Sequence, residues 1–414
     1  MRPDVALISP YPRPGIRHGG SSGVASYTAN LAEALTGAGA GVTVVAPVEP
    51  GLPAEHRDGR VRVLRRFEAG PPWLVRAARA ACATGAPTVH LQHETFLYGG
   101  PAAVPALVAA LRRLRRGRPS SVVTMHHVVA AGAVDAQFTR LHRVRVPAAV
   151  ARAGLAVVRE SVRRHADAVV VHEPAFAEAV PGATVVPHGI ESAAAAERAA
   201  ARSRLGVRDD RLTVLCFGFV APYKGLEPAL EAGRLAGSGV EVVVAGGTHP
   251  RVGDAYAEVL RGAHGDHARF TGHVPDGDVA AWFAAADVAL FAYPRPVSSS
   301  GALALALAHG TPVLMSPELA TCAGAPAPLV APREAPALAA VLRGLAADRS
   351  RLGALGAAAA AMAGDRGWPA VARRHLEVYA AAGTTRADAR DVPGAAGTTL
   401  ADAPGRRDVP GVVE

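Results

Sequence analysis

The chain has 414 residues, of which 50% are hydrophobic and 19% charged. At roughly 100–200 residues per domain, that length predicts two domains with full cores, and the apolar share excludes a disordered chain. No run approaches the roughly 18 apolar residues of a membrane span. The Val5–Ile8 run ahead of Pro10 is too short for a secretion leader. Cys82, Cys216 and Cys322 have no spacing that a disulfide framework or zinc site would need. Forty-four Lys+Arg against 35 Asp+Glu leave a formal charge of +9. The excess of Ala, Arg and Gly fits GC-rich base composition, which explains part of that charge without a partner. A basic surface still suits anionic ligands such as nucleotides, phosphates or an anionic membrane face. No aromatic-interleaved basic stripe points to nucleic acid. The expectation is a soluble cytoplasmic protein of a reducing compartment.

In chain order, short β-branched apolar runs alternate with helical stretches. Val5–Ser9, Val42–Pro47, Thr88–Gln92, Ser121–His126, Ala168–His172 and Thr184–Pro187 read as strands. Tyr27, Leu31, Ala34 and Leu35 share one helical face, and Ala102–Arg116 is a second helix. The second half repeats the scheme with Leu212–Phe217, Val240–Ala245, Ala268–Thr271, Val288–Ala292, Pro312–Met315 and Leu329–Ala331. Such alternation predicts two α/β domains, each a doubly wound parallel sheet, joined near Pro187–Ala200. Residues 383–414 repeat Gly-Thr-Thr and Arg-Asp-Val-Pro-Gly elements without apolar anchors and read as a disordered tail.

Four clusters could carry chemistry. Gly19-Gly20-Ser21-Ser22-Gly23 lies between a strand and a helix, where backbone N–H groups meet an anion. It lacks the Lys-Ser/Thr of a triphosphate loop, and a plain turn stays open. His93-Glu94 and His126-His127 close two strands at the end where parallel sheets place ligands. They can contact a sugar, cap a loop or bind a metal, although adjacent strand residues point apart. In Phe217–Leu226, a loop after a strand carries Lys224, of a residue type rare in this chain, which suits a diphosphate or a solvated turn alike. Ser298-Ser299-Ser300-Gly301 opens a helix as an N-cap or as an anion or hydroxyl site.

Taken in order, these clusters resemble the family-4, GT-B-fold retaining glycosyltransferases over residues 1–382. Gly20–Leu35, Thr124-Met125-His126, Val185–Ile190, Gly218 with Lys224-Gly225, Asp287 and His309–Val313 carry the likeness. Gly-Phe-Val-Ala-Pro-Tyr-Lys-Gly, Gly247-Thr248-His249-Pro250 and Ser300-Gly301 are similar to its mannosyltransferase-like branch. The resemblance implies two Rossmann-like domains facing across a cleft. Residues 1–187 would bind the acceptor and 188–365 the nucleotide sugar, and 366–382 would be a helix crossing back. It implies sugar transfer with retention and without a metal or other cofactor, the nucleoside diphosphate sugar being the co-substrate. Lys224 would neutralise the leaving diphosphate, and His126 would contact the transferred sugar. Gly20, Gly23, Gly218 and the Ser298–Gly301 turn would hold phosphate or sugar. Gly247, Thr248, His249, His273 and Val274 would hold base and ribose. Arg17, His18, His93, Glu94 and His127 would meet the acceptor. Phe219 stands where the family usually has arginine, and Val297 and Leu305 where it has two glutamates. No acidic residue lies between Asp287 and Glu318.

The donor reads as GDP- or UDP-linked and the acceptor as a small molecule, such as an antibiotic precursor. Glycolipid or polysaccharide assembly is the alternative, with Arg112–Arg118 as a membrane patch or simply a charged helix end. An epimerase would need carboxylates that this cleft lacks. A non-catalytic nucleotide-sugar sensor draws its support from Phe219 and Val297.

Overall fold

A computed structural model describes residues 2–16, 23–68, 73–95, 97–98, 103–117, 119–141, 144–191, 196–248 and 253–391. The first half runs β1 (Val5–Ile8), α1 (Gly23–Gly37), β2 (Val42–Pro47), β3 (Glu55–Asp58), β4 (Val61–Phe67), α2 (Trp73–Ala83) and β5 (Thr88–His93). It continues α3 (Val104–Arg116), β6 (Ser120–Met125), α4 (Ala136–Leu141), α5 (Ala148–His165), β7 (Ala168–Val171), α6 (Pro174–Ala179) and β8 (Thr184–Val185). The second half runs α7 (Arg198–Leu205), β9 (Leu212–Phe217), α8 (Leu226–Ala236), β10 (Val240–Ala245), α9 (Ala255–His264), β11 (Ala268–Gly272) and α10 (Asp276–Ala285). Then follow β12 (Val288–Phe291), α11 (Gly301–Ala308), β13 (Val313–Met315), α12 (Pro317–Ala323), α13 (Ala335–Ala347), α14 (Arg351–Ala363) and α15 (Trp368–Asp391).

The strands form two sheets, ordered β3-β4-β2-β1-β5-β6-β7-β8 and β11-β10-β9-β12-β13. Every pairing is parallel except the β3–β4 hairpin. Helices cover both faces of a parallel sheet, which is why its strands read as continuous apolar runs rather than alternating ones. Strand order reverses beside β1 in one sheet and beside β9 in the other. The crevice beyond the carboxyl ends of strands at such a point is where open α/β sheets take ligands.

Three expectations need correction. The β3–β4 hairpin has no counterpart in the sequence reading, because Arg62, Arg65 and Arg66 interrupt the apolar pattern of β4. Arg65 is nonetheless buried: its guanidinium donates to the carbonyls of Pro47, Tyr11 and Pro12 and pairs with Glu49 at 3.2 Å. Leu329–Ala331 is no strand; Leu329 ends the short 3₁₀ turn Ala327–Leu329, and a single bridge joins Val330 to Met315. The chain stays helical past Ala382 to Asp391, because Arg386 pairs with Asp167 at 2.9 Å and donates to the carbonyl of Gly117 at 2.8 Å. Residues 392–414 of the expected tail lie outside the described residues.

α15 carries the chain back onto the first domain. Its Val371, Ala372, Val378, Tyr379 and Ala382 join the core of Leu7, Tyr27, Leu31, Val122 and Val170. Two passages connect the domains, and they pair: Ile190 N–H donates to the carbonyl of Arg366 at 2.8 Å. Trp368 packs so closely on this crossing that a Cβ at Gly189 would sit 2.5 Å from its ring. No described helix is long and apolar enough to cross a membrane.

Candidate active site

The carboxyl ends of both sheets open onto one cleft of 1410 Å³, lined from the first domain by Gly23, His127, Phe138 and Arg140 among others. The opposite wall is built from the loops after β9, β10, β11 and β12. Glycine is obligatory at their contacts. Gly225 has φ +64, and a Cβ there would lie 2.0 Å from the carbonyl oxygen of Ala292. A Cβ at Gly246 would lie 2.0 Å from that of Gly218. The absent side chains let the turns after β9, β10 and β12 converge, leaving backbone where a ligand can approach.

Lys224 ends a 3₁₀ turn in this wall and is the only lysine of the sequence. Its ammonium donates to the Tyr293 hydroxyl and lies 4.4 Å from that ring's centre. Tyr293 O is in turn 2.9 Å from Ser300 Oγ, which accepts from the Leu303 N–H as N-cap of α11. Burial pushes the Lys224 pKa down, with Tyr223 opposing the shift, and burial also pushes the Tyr293 phenol up. A lysine held in low dielectric gains more from an approaching anion than one in water does. Opposite, α1 begins at cleft-lining Gly23, which turns the positive end of its dipole to the same cleft.

Of the residues singled out in sequence, Gly23, His127, Gly218, Lys224, Gly247, His273, Val274, Ser298, Ser299, Ser300 and Gly301 line this one cleft. Arg17, His18, Gly20 and His249 lie outside the described residues. Thr248 is not among the lining residues; its hydroxyl donates to Asp254 at 2.7 Å. Glu94 touches the cleft through His127, whose Nδ1 is 2.5 Å from the carboxylate. His93 faces a separate apolar cavity of 50 Å³ with Leu74, Leu107 and Val158, where burial lowers its pKa to about 4.

His126 is buried and is not among the residues lining the cleft. Its Nε2 is 2.8 Å from Gln92 Oε1 and its Nδ1 is 3.2 Å from His172 Nε2. His172 Nδ1 meets the Val186 carbonyl at 2.9 Å and must donate to it, so the neutral His172 ring accepts at Nε2 from His126 Nδ1; the neutral His126 ring then accepts at Nε2, with the Gln92 amide turned to offer its N–H₂. Tyr27 stands edge-on at 4.8 Å. Burial, reinforced by His172 and His188, drives the His126 pKa well down. Both ring nitrogens are thus engaged inside the domain. Asp287 is structural too: it accepts from Thr213 N–H and pairs with Arg198 at 2.6 Å.

Sequence reasoning missed Tyr293, which stands 69 residues from Lys224. It also missed Glu173, which approaches the acid-free turn from the other domain. Burial raises the Glu173 pKa, with the Ser299 hydroxyl and Arg366 opposing the shift. No pattern near Ser299 could announce a carboxylate from so distant a segment. Among the described residues, no three His, Cys, Asp or Glu side chains gather as metal ligands.

Residues 211–348 match the family model described as glycosyl transferases group 1. The match covers a third of the chain, within its second half. A curated relative, the D-inositol 3-phosphate glycosyltransferase of Kineococcus radiotolerans, is 35% identical over 236 residues, 50% of this chain and 53% of that protein. The match therefore spans about half of the relative's length. Among solved structures, sucrose-phosphate synthase from Thermosynechococcus elongatus superposes with a TM-score of 0.70 at 23% identity, covering 91% of this chain and 98% of that one. HepE of Anabaena, in complex with UDP-glucose, gives 0.65 at 15% identity, covering 91% and 99%. These likenesses establish the fold: two parallel-sheet domains of GT-B type, the group 1 segment forming most of the second.

Proposed function

We propose that this chain is a retaining glycosyltransferase of the family-4 type, moving a sugar from a GDP- or UDP-linked donor to a small-molecule acceptor. The observation that carries the reading is the buried Lys224, bonded to Tyr293 in a glycine-built wall and facing the start of α1 across the cleft. The group 1 match over the same wall supports it. In the reaction, the bond from the anomeric carbon to the diphosphate oxygen breaks and its electron pair leaves with the diphosphate. Lys224 and the positive end of the α1 dipole stabilise that charge as it develops. The acceptor oxygen bonds to the anomeric carbon on the face the diphosphate leaves, and its proton passes to the departing phosphate oxygen. This route needs no metal and no side-chain nucleophile. Ser298–Ser300 hold sugar hydroxyls, the base lies by Gly247, His273 and Val274, and His127, oriented by Glu94, meets the acceptor.

A phosphorylated polyol is the acceptor class favoured by one further observation. Arg140 lines the acceptor side of the cleft, and the curated relative is named for D-inositol 3-phosphate. An antibiotic precursor without phosphate is the competing small-molecule acceptor. Thermal melting against UDP, GDP, ADP, dTDP and CDP tests the donor half. A ligand at 100 times its dissociation constant adds about 2.7 kcal/mol, so one diphosphate shifts the midpoint selectively. An acceptor screen scored by diphosphate release and anomeric configuration tests the rest. No shift with any nucleotide would overturn the reading.

A further inference from the structure

We propose that Arg295 and Val297 strap the sugar-side turn to the acceptor domain, making closure of the cleft and ordering of Ser298–Ser300 a single event. The role in turnover rests on the transferase reading above; the strap itself does not. The segment leaves β12 in the second domain yet makes its contacts in the first. Val128 N–H donates to the Val297 carbonyl at 3.1 Å. His127 and Ser298 form an antiparallel bridge. Arg295 Nη1 lies 2.5 Å from Asp135 Oδ2, and Asp135 Oδ1 accepts from Phe138 N–H at 2.8 Å. The Val297 side chain packs against the cluster of Val129, Val134, Phe138 and Ala151. Within four residues, main-chain pairing, an ion pair and an apolar plug all reach across the domain boundary.

The far end of the same turn is fixed in its own domain. Ser300 caps α11, and its Oγ is 2.9 Å from the Tyr293 hydroxyl. The three serines are therefore suspended between one anchor in each domain. The side chains of Arg295 and Asp135 are 50% and 41% exposed, so this pair contributes little by itself. The half-buried Val297 side chain, packed on the apolar cluster, and the backbone pairing hold the strap. Val297 is a positioning residue: it lines the cleft beside Ser298, its side chain offers no polar group to a substrate, and its packing sets where the serines face. A released strap leaves the cleft open to water at the anomeric carbon, so transfer gives way to hydrolysis.

The test uses the full chain with Val297→Asp, which forces a carboxylate into the apolar cluster, and Val297→Ala, which removes only two methyl groups. Hydrogen exchange at His127 and Val128 reads the strap directly. UDP-glucose and GDP-mannose, as donor probes, read the ratio of hydrolysis to transfer. Val297→Asp is expected to speed exchange at Val128 about tenfold or more, with a smaller increase in Val297→Ala, as local opening becomes easier. The hydrolysis-to-transfer ratio rises in the same order, while the melting shift given by nucleoside diphosphate persists, because Lys224 and Gly246–Gly247 are untouched. Unchanged exchange at Val128 in both variants overturns the strap. Faster exchange with an unchanged product ratio overturns its positioning role. A wild-type chain that neither binds nucleotide nor turns over refutes the transferase reading, while the exchange result still decides the strap.

Discussion

Replacing Lys224 by methionine keeps the length and apolar stem of the side chain and deletes the charge. Two unit charges about 4 Å apart at an effective dielectric of about 20 interact by about 4 kcal/mol. At about 1.4 kcal/mol per decade that is close to a thousandfold in rate, and loss of one preorganised oxyanion donor typically costs about 10²–10³ in kcat. Lys224→Met is therefore expected to lower kcat by about 10²–10³. Stability moves differently. Burial depresses the Lys224 pKa, so its charged form is less favourable in the folded chain than in the unfolded one below that pKa. Removing it lifts that cost, and the unliganded variant melts no lower than the wild type. The assays are diphosphate release under saturating donor, and melting with and without nucleoside diphosphate. Turnover within about threefold of wild type, well short of the expected loss, would refute the leaving-group role. A large fall in the unliganded midpoint would show that the lysine is there for folding instead.

Tyr293→Phe deletes the hydroxyl joining Lys224 to Ser300. Hydrogen bonds to charged groups are worth about 1.5–3 kcal/mol, so kcat falls tenfold or more with less change in donor KM; equal effects on both would argue for simple binding. The buried histidines make the fold acid-sensitive: His172 titrates at about 3 and His375 at about 4. Below the unfolded value of about 6.5, the unfolded chain takes up protons these rings refuse, so stability falls as pH drops from there towards about 4, by about 1.4 kcal/mol per group per unit. Urea midpoints that match at pH 7 and pH 5 would contradict this. Gly189→Ala drives a Cβ to 2.5 Å from Trp368 and should destabilise by about 1–3 kcal/mol. Gly277→Ala, in helix α10 with nothing within 4 Å of the added carbon, is the control and should melt no lower than wild type.

What the sequence reveals depends on how local each feature is. β1, β2, β9 and β10 were legible because a buried parallel strand is a continuous apolar run with turn residues at its ends. The Lys224 loop was legible because glycine and a rare lysine follow such a run. β4 was not, since Arg65 becomes a core residue only when carbonyls of Tyr11, Pro12 and Pro47, far apart in sequence, surround its guanidinium. His126 is the opposite case. Its place at a strand end suggested a ligand contact, but its partners Gln92 and His172 come from neighbouring strand ends and draw the ring inward. Val297 looked like a missing carboxylate, and in three dimensions it packs against the other domain. Periodicity reports which residues are buried; it does not report which distant group meets them.

Lys224 being the only lysine, an amine-reactive reagent marks one side chain, separable from the N-terminus by peptide mapping. Labelling would be timed alone, with uridine or guanosine, and with UDP or GDP. At 100 times its dissociation constant a ligand leaves about 1% of sites free, so the diphosphate of the true donor slows labelling at least tenfold, while the bare nucleosides protect far less. Labelling at the same rate with every nucleoside diphosphate present would contradict the assignment of this cleft and its lysine to a nucleoside diphosphate sugar.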